Sequence, residues 1–127
     1  MPLLTSGHRF VVDKLAEEIT QVVFGFDGGI ATSEDGGAGR PAVTVTPVVR
    51  IVDDNTISIE AKLTTTDAFT LPLREVCIRS ADRALFRYTY DAITKSTDTE
   101  LIFSTIIEVN KNGQPTIRTY YWTKRII

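Results

Sequence analysis

The spacing of hydrophobic residues changes along the chain, from a helical period near the N-terminus to a strand period in the remainder. Between about Gly7 and Val23, hydrophobic residues recur at steps of three and four, at Phe10, Val11, Leu15, Ile19 and Val22. This spacing gathers them on one face of a helix, and Ser6 stands before it as a possible N-cap. The sequence therefore predicts one amphipathic helix over residues 7–23.

A short hydrophobic segment and a glycine-rich segment follow the helical pattern. Residues 22–27 carry the β-branched and aromatic side chains typical of a short strand. Five of the thirteen residues in 28–40 are glycines, and glycine at this density raises backbone freedom. We therefore predict a loop over residues 28–40 that becomes ordered against a partner subunit.

Alternation of hydrophobic and polar residues predicts strands from Ala42 onward. Pro47 interrupts the first alternating run, which places that strand at a sheet edge or at a bulge. Three pairs of runs are separated by turn residues: 43–51 and 57–63, 73–80 and 84–90, and 101–109 and 117–122. The last pair is joined by Asn112-Gly113, a strong signal for a tight turn. These pairs predict three hairpins.

The elements add up to one helix and six or seven strands. A chain of 127 residues has the length that a single hydrophobic core usually serves. We therefore predict a single α+β domain, mainly β, over residues 1–127. In this domain the N-terminal helix packs on an antiparallel β-sandwich formed by residues 42–122.

Composition narrows the classes of partner. Fourteen basic and sixteen acidic residues give a formal net charge of -2, so the chain has no overall positive field to attract nucleic acid or an anionic membrane. It has no run of about 18 apolar residues that could span a bilayer, and residues 1–5 do not resemble a secretion leader. We expect an unexported protein that has neither nucleic acid nor a membrane as its partner.

His8 and Cys77 are the single histidine and the single cysteine of the chain. His8 lies near the predicted start of the helix, where we expect it to be solvated. Cys77 lies in a strand pattern, where a free cysteine is usually a buried packing residue. A cysteine hydrolase is an alternative, but it would require His8 to reach Cys77 from another element. We predict no catalytic residue, no metal site and no cofactor, and therefore no enzyme.

Acidic and glycine clusters have ordinary structural explanations. Asp53-Asp54-Asn55 has the composition of a β-turn. Glu34-Asp35 has a slightly better claim on Ca²⁺, but the pattern of an EF-hand loop is missing. Gly28-Gly29 and Gly36-Gly37 match neither a phosphate-binding loop nor a dinucleotide fingerprint. None of these clusters predicts a cofactor.

The C-terminal segment combines aromatic and basic residues. Tyr120, Tyr121 and Trp122 lie close to Arg118. Such residues are enriched at protein interfaces, but they also pack in cores, and basic-aromatic mixtures bind single-stranded nucleic acid or sugars. Subunit contact, core packing and ligand binding all remain open, and these four residues are the candidate interface.

Four segments of the chain, in this order, resemble attachment domains of phage tail fibre and baseplate-associated proteins. They are VVFGFDGG at 22–29, LREVCIR at 73–79, ALFR at 84–87 and ITKSTDTEL at 93–101. Cys77 stands where those domains usually carry glycine. The resemblance extends over most of the chain.

The resemblance implies a virion structural protein of a tail, neck or baseplate that joins or anchors fibres through protein–protein contacts. Its partners would be other virion structural proteins, and it would form a trimer or hexamer around the tail axis. Its location would be the virion, after assembly in the host bacterial cytoplasm. The alternative, suggested by Tyr120, Tyr121 and Trp122, is a carbohydrate- or receptor-binding module.

Overall fold

The computed structural model describes residues 3–32 and 35–126. These residues form one helix and eight strands: α1 (Thr5–Glu18), β1 (Gln21–Gly25), β2 (Pro41–Val45), β3 (Val48–Asp53), β4 (Thr56–Leu63), β5 (Leu73–Arg79), β6 (Ala84–Ile93), β7 (Thr99–Val109) and β8 (Pro115–Ile126). The strands make two four-stranded sheets, sheet I in the order β2-β1-β5-β6 and sheet II in the order β3-β4-β7-β8. All strand pairs are antiparallel.

The predicted fold class, an α+β domain dominated by an antiparallel sandwich, is confirmed. The described residues contain eight strands, whereas the sequence predicted six or seven. One reason is Pro47, which lies between β2 and β3 and separates a region that the alternation had made continuous. Because β2 and β3 are edge strands of different sheets, the prediction that Pro47 belongs to an edge is confirmed.

The hydrophobic core lies between the two sheets. Sheet I contributes Val22 and Phe24 from β1, and sheet II contributes Phe103 from β7, all fully buried. The rings of Phe24 and Phe103 meet edge to face, with their centroids 6.3 Å apart. Strand β7 buries every second residue along its whole length, as the alternation of the sequence predicts.

The helix is shorter than predicted. It ends at Glu18, and the chain continues as β1 from Gln21, so the prediction of a helix over residues 7–23 is wrong in its last turn. Val22, Val23 and Phe24 are all buried, and stiff β-branched side chains pack well on both faces of a strand. Packing of residues 22–24 in the sheet, rather than their helical spacing, therefore determines where α1 ends.

The buried face of α1 also differs from the predicted stripe. Phe10 is 66% exposed, whereas Val12 is fully buried and Leu15 is partly buried. The helix begins at Thr5, its N-cap is Leu4, and no side chain caps it. Ser6 therefore lies inside the helix and is not its cap.

The three predicted hairpins are confirmed as β3-β4, β5-β6 and β7-β8. In the last turn Gly113 has a φ of +81°, and its N–H donates to the Asn110 carbonyl at 2.9 Å. A positive φ favours glycine, which is why the Asn-Gly pair predicted this turn.

No helix in the described residues is long and apolar enough to cross a membrane.

Candidate functional site

Strand β8 is the longest strand in the described part of the chain and lies at an edge of sheet II. It pairs with β7 from Pro115 to Ile126, and none of the other strands in the described residues pairs with its other side. An edge strand presents a row of unpaired backbone N–H and C=O groups. The free edge of β8 can therefore accept another extended chain.

Trp122, on β8, is partly buried and packs against the core. Its ring lies 4.6 Å from Tyr90, 4.8 Å from Phe103 and 5.7 Å from Phe24, measured between centroids. These contacts join the edge of sheet II to the edge of sheet I. Of the three explanations that the sequence left open, core packing describes Trp122.

The other three residues of the predicted interface are divided between the two faces of β8. Tyr120 is 43% exposed and stacks on Tyr88 at 4.9 Å, on the inner side of the sheet. Tyr121 points to the opposite face because neighbouring residues of a strand alternate, and it is 55% exposed. Arg118 is also exposed, and its Nε lies 3.7 Å from a carboxylate oxygen of Glu108. The candidate interface is therefore split across two faces of β8.

A groove separates β6 from β8 on this side of the sandwich. Its volume is about 510 Å³, which is within the range of ordinary ligand clefts. Its lining residues are Thr89, Tyr90, Asp91, Ala92, Ile93, Tyr120 and Trp122. Burial raises the pKa of the Tyr90 hydroxyl, which donates to the Glu75 carbonyl at 3.1 Å. The groove thus combines the aromatic rings of Tyr90, Tyr120 and Trp122 with the carboxylate of Asp91.

Glu75 is the anchor of the glycine-rich loop. Its carboxylate is fully buried and accepts hydrogen bonds from the backbone N–H groups of Asp27 and Gly39, both at 2.7 Å, and of Arg40 at 3.0 Å. Arg87 Nε donates to the same carboxylate at 3.0 Å. Because a buried carboxylate needs such donors, Glu75 and the loop stabilise each other.

Arg87 extends this anchor to the far side of the loop. Its side chain is only 6% exposed and its Nη1 lies 2.8 Å from Asp35. The hydrogen bond from the Thr32 N–H and the nearby Arg87 hold the pKa of Asp35 below its ordinary value. The described part of the loop is therefore held by residues of its own chain. That a partner subunit orders the loop over residues 28–40 stays a prediction.

Close packing explains two of the glycines in this region. A Cβ on Gly25 would lie 2.6 Å from the Arg40 carbonyl oxygen, and one on Gly39 would lie 2.0 Å from a carboxylate oxygen of Asp27. A side chain at position 25 would collide with backbone, so Gly25 excludes larger residues, whereas a side chain at position 39 would force Asp27 to move. The glycines let the loop lie close to β1 and β5.

Cys77 and His8 lie on different parts of the sandwich. Cys77, in the middle of β5, is free and buried, as the strand pattern predicted, and burial raises the pKa of its thiol. His8 is half-buried on α1, and its Nδ1 lies 2.6 Å from Asn55 Oδ1 in the β3-β4 turn. His8, expected to be solvated, is therefore partly exposed and bonded to a turn of sheet II.

The acidic clusters match their structural explanations where the structure describes them. The Asp53 carboxylate accepts the Asn55 N–H at 2.8 Å, as a turn requires, and this bond lowers the pKa of Asp53. Glu34 lies outside the described residues, whereas Asp35 pairs with Arg87. Across residues 3–32 and 35–126, no three His, Cys, Asp or Glu side chains come together as a metal site would require.

Sequence reasoning did not identify the partner of Glu75. The structure pairs Glu75 with Arg87 across the β5-β6 hairpin. One signal was present, since Glu75 is a charged residue in a strand pattern made mostly of hydrophobic residues. Three of the four segments that carry the resemblance meet at this anchor: 22–29, 73–79 and 84–87.

Comparisons with known proteins add no relative. No protein-family model, no curated protein and no solved structure matches the chain. Its function has to be argued from its own residues.

Proposed function

We propose that this chain is a structural protein of a phage tail, neck or baseplate, which joins or anchors fibres through protein–protein contacts and catalyses no reaction. The phage assignment rests on the resemblance of the four ordered segments. The mode of action rests on one observation, the free twelve-residue edge of β8. Backbone groups along such an edge bind other chains without any catalytic residue.

The four sheet edges differ in how well they are protected against pairing with another chain. Strands β2 and β3 have five and six residues, and Pro47 lies between them. Strand β6 has two irregularities in its register with β5. Strand β8 has one, near Ile117, and then pairs regularly from Thr119 to Ile126. Because proteins protect edges with short, distorted or proline-bearing strands, β8 is the edge best suited to a partner.

The proposed partners are other virion structural proteins, and the proposed assembly is a trimer or hexamer on the tail axis within the virion. A ring requires two different surfaces on each subunit. Sheet I has such a pair, because β2 and β6 are its opposite edges, and a ring built on them leaves the β8 edge of sheet II to a different protein. Neither nucleic acid nor a membrane takes part in this assembly.

The states of Cys77 and His8 support a role without chemistry. A nucleophilic cysteine needs a lowered pKa and a nearby base. Burial instead raises the pKa of Cys77, and His8 is bonded to Asn55 at one end of sheet II. The alternative of a cysteine hydrolase therefore has no support in this geometry.

Quantitative mass spectrometry of purified particles from the source system tests the proposal. We expect peptides of this chain in intact particles, at a copy number that is a multiple of three relative to a tail protein. Particles banded twice on a density gradient control for lysate carry-over. Complete absence from such particles would contradict the proposal.

A carbohydrate-binding module is the second candidate, and the groove between β6 and β8 favours it. Tyr90, Tyr120 and Trp122 give the groove aromatic walls, and Asp91 adds a polar group that could bond sugar hydroxyls. A glycan array separates this candidate from the first. Binding that is lost in Tyr120→Ala would support it, and an array without binders would count against it.

A further inference from the structure

We infer that the free edge of β8 binds an extended acidic segment of a different protein, which adds a fifth strand to sheet II. This inference rests on the proposed function and deepens it, because it names the chemistry of the partner. It depends on the charges of β8, on the pattern of its neighbour β7 and on the poor fit of a second copy.

Strand β8 is basic although the whole chain is not. It contains Arg118, Lys124 and Arg125 and no acidic residue, whereas the whole chain has a formal net charge of -2. The side chains of Arg118 and Arg125 are 62% and 60% exposed. A positively charged edge favours a partner strand that carries carboxylates.

The arginines of β8 are only partly neutralised within the chain. Arg118 lies 3.7 Å from Glu108, and Arg125 lies 3.7 Å from Glu100. These distances exceed those of charge-assisted hydrogen bonds, and exposed pairs of this kind contribute little. Each guanidinium has five N–H donors, so both can bind a second carboxylate.

Strand β7 shows which spacing the partner needs. Glu100 pairs in register with Arg125, and Glu108 lies beside Arg118. A strand added to the free edge would stand to β8 as β7 does on the other side. Two carboxylates about eight positions apart, with hydrophobic residues or threonine between them, would meet the two arginines as Glu100 and Glu108 do.

A second β8 strand fits this edge poorly. Two β8 strands side by side would bring together only basic charged side chains, because β8 contains Arg118, Lys124 and Arg125 and no acidic residue. Like charges directly opposite each other destabilise a sheet. The charges that repel a second copy are the same ones that attract an acidic segment.

The test uses the full chain and a peptide probe. The probe has the sequence of β7, Thr99–Val109, fused to a soluble carrier. Its matched control carries lysine at the positions of Glu100 and Glu108. We expect the acidic probe to bind at least tenfold more tightly than the control at low salt, and to weaken as salt rises. The same affinity for both probes, or no binding of the acidic probe, would overturn the inference.

A variant of the chain locates the binding. In the triple variant Arg118→Gln, Lys124→Gln and Arg125→Gln we expect the tenfold preference to disappear, while circular dichroism shows the sheets intact. The variant Arg50→Gln on β3 is the control and should keep the preference. A preference that survives the triple variant would overturn the inference, as would a single-stranded oligonucleotide that displaces the acidic probe from β8.

The inference and the proposed function can fail separately. If the chain is present in particles but the acidic probe does not bind, the edge inference is wrong and the virion role stands. If the probe binds at β8 but the chain is absent from particles, the virion role is wrong and the edge inference stands.

Discussion

Among single residues, Glu75 shows how a buried charge can be accommodated. Four donors surround its carboxylate, three of them backbone N–H groups of the loop and one the Arg87 guanidinium. Removing one partner of a buried pair leaves the other without compensation. The loop and the outer face of sheet I therefore depend on one side chain.

We predict that Glu75→Gln lowers the free energy of unfolding by about 3 kcal/mol. The buried Arg87 would lose its charged partner, and the single amide oxygen of glutamine could not accept all four hydrogen bonds that the carboxylate accepts. Urea denaturation followed by circular dichroism measures the change. The control is Glu60→Gln, the same substitution at an exposed position of β4, with an expected effect within about 0.5 kcal/mol. Equal effects of the two substitutions would show that Glu75 is not an anchor.

The residue types in the sequence predicted that some side chains are buried, but not which residues those side chains contact. The burial of Cys77 could be inferred from the strand pattern, since free cysteine is usually buried. The pairing of Glu75 with Arg87 could not, because it depends on the register of β5 against β6, which contains two irregularities. A charged residue in a buried strand indicates that a partner exists without naming it.

Among the elements, β8 is mostly exposed and packs Ile117 and Trp122 against the core. Its aromatic cluster looked like one surface in the sequence because three aromatic residues follow each other. The strand separates them, with Trp122 facing the core and Tyr121 facing outward. The C-terminal strand therefore contributes to stability and to the candidate interface with different residues.

We predict that Trp122→Ala lowers the free energy of unfolding by about 3 kcal/mol, because truncating a large aromatic side chain in a core leaves a cavity. Tyr121→Ala, one residue earlier and 55% exposed, should change it by less than about 0.5 kcal/mol. Both values come from urea denaturation of the two variants. A larger effect at Tyr121 than at Trp122 would mean that β8 faces the other way.

Local signals predicted hairpins better than they predicted the helix end. Turn residues such as Asn112-Gly113 act within a few positions, so the three hairpins could be found from the sequence. The end of α1 depends on contacts far along the chain, since Val22 pairs with Val45 and Ile78. A helical spacing that continued to Val22 could not reveal that this residue belongs to a strand.

On the scale of the whole molecule, the sandwich has one side with short edge strands and one side with long ones. The short strands β2 and β3 are joined through Pro47, whereas β6 and β8 flank the aromatic groove. The sequence predicted the sandwich, but the strand order depends on distant pairs such as β1-β5 and β4-β7. The free edge of β8 became visible only with that order.

The most direct test of the central claim is immunogold electron microscopy of particles from the source system, with antibody raised against the purified chain and preimmune serum as the control. If the chain joins or anchors fibres, gold will lie at one discrete point on the tail, neck or baseplate of most particles. Particles without label, with the chain found only in the lysate, would contradict a role as a virion structural protein.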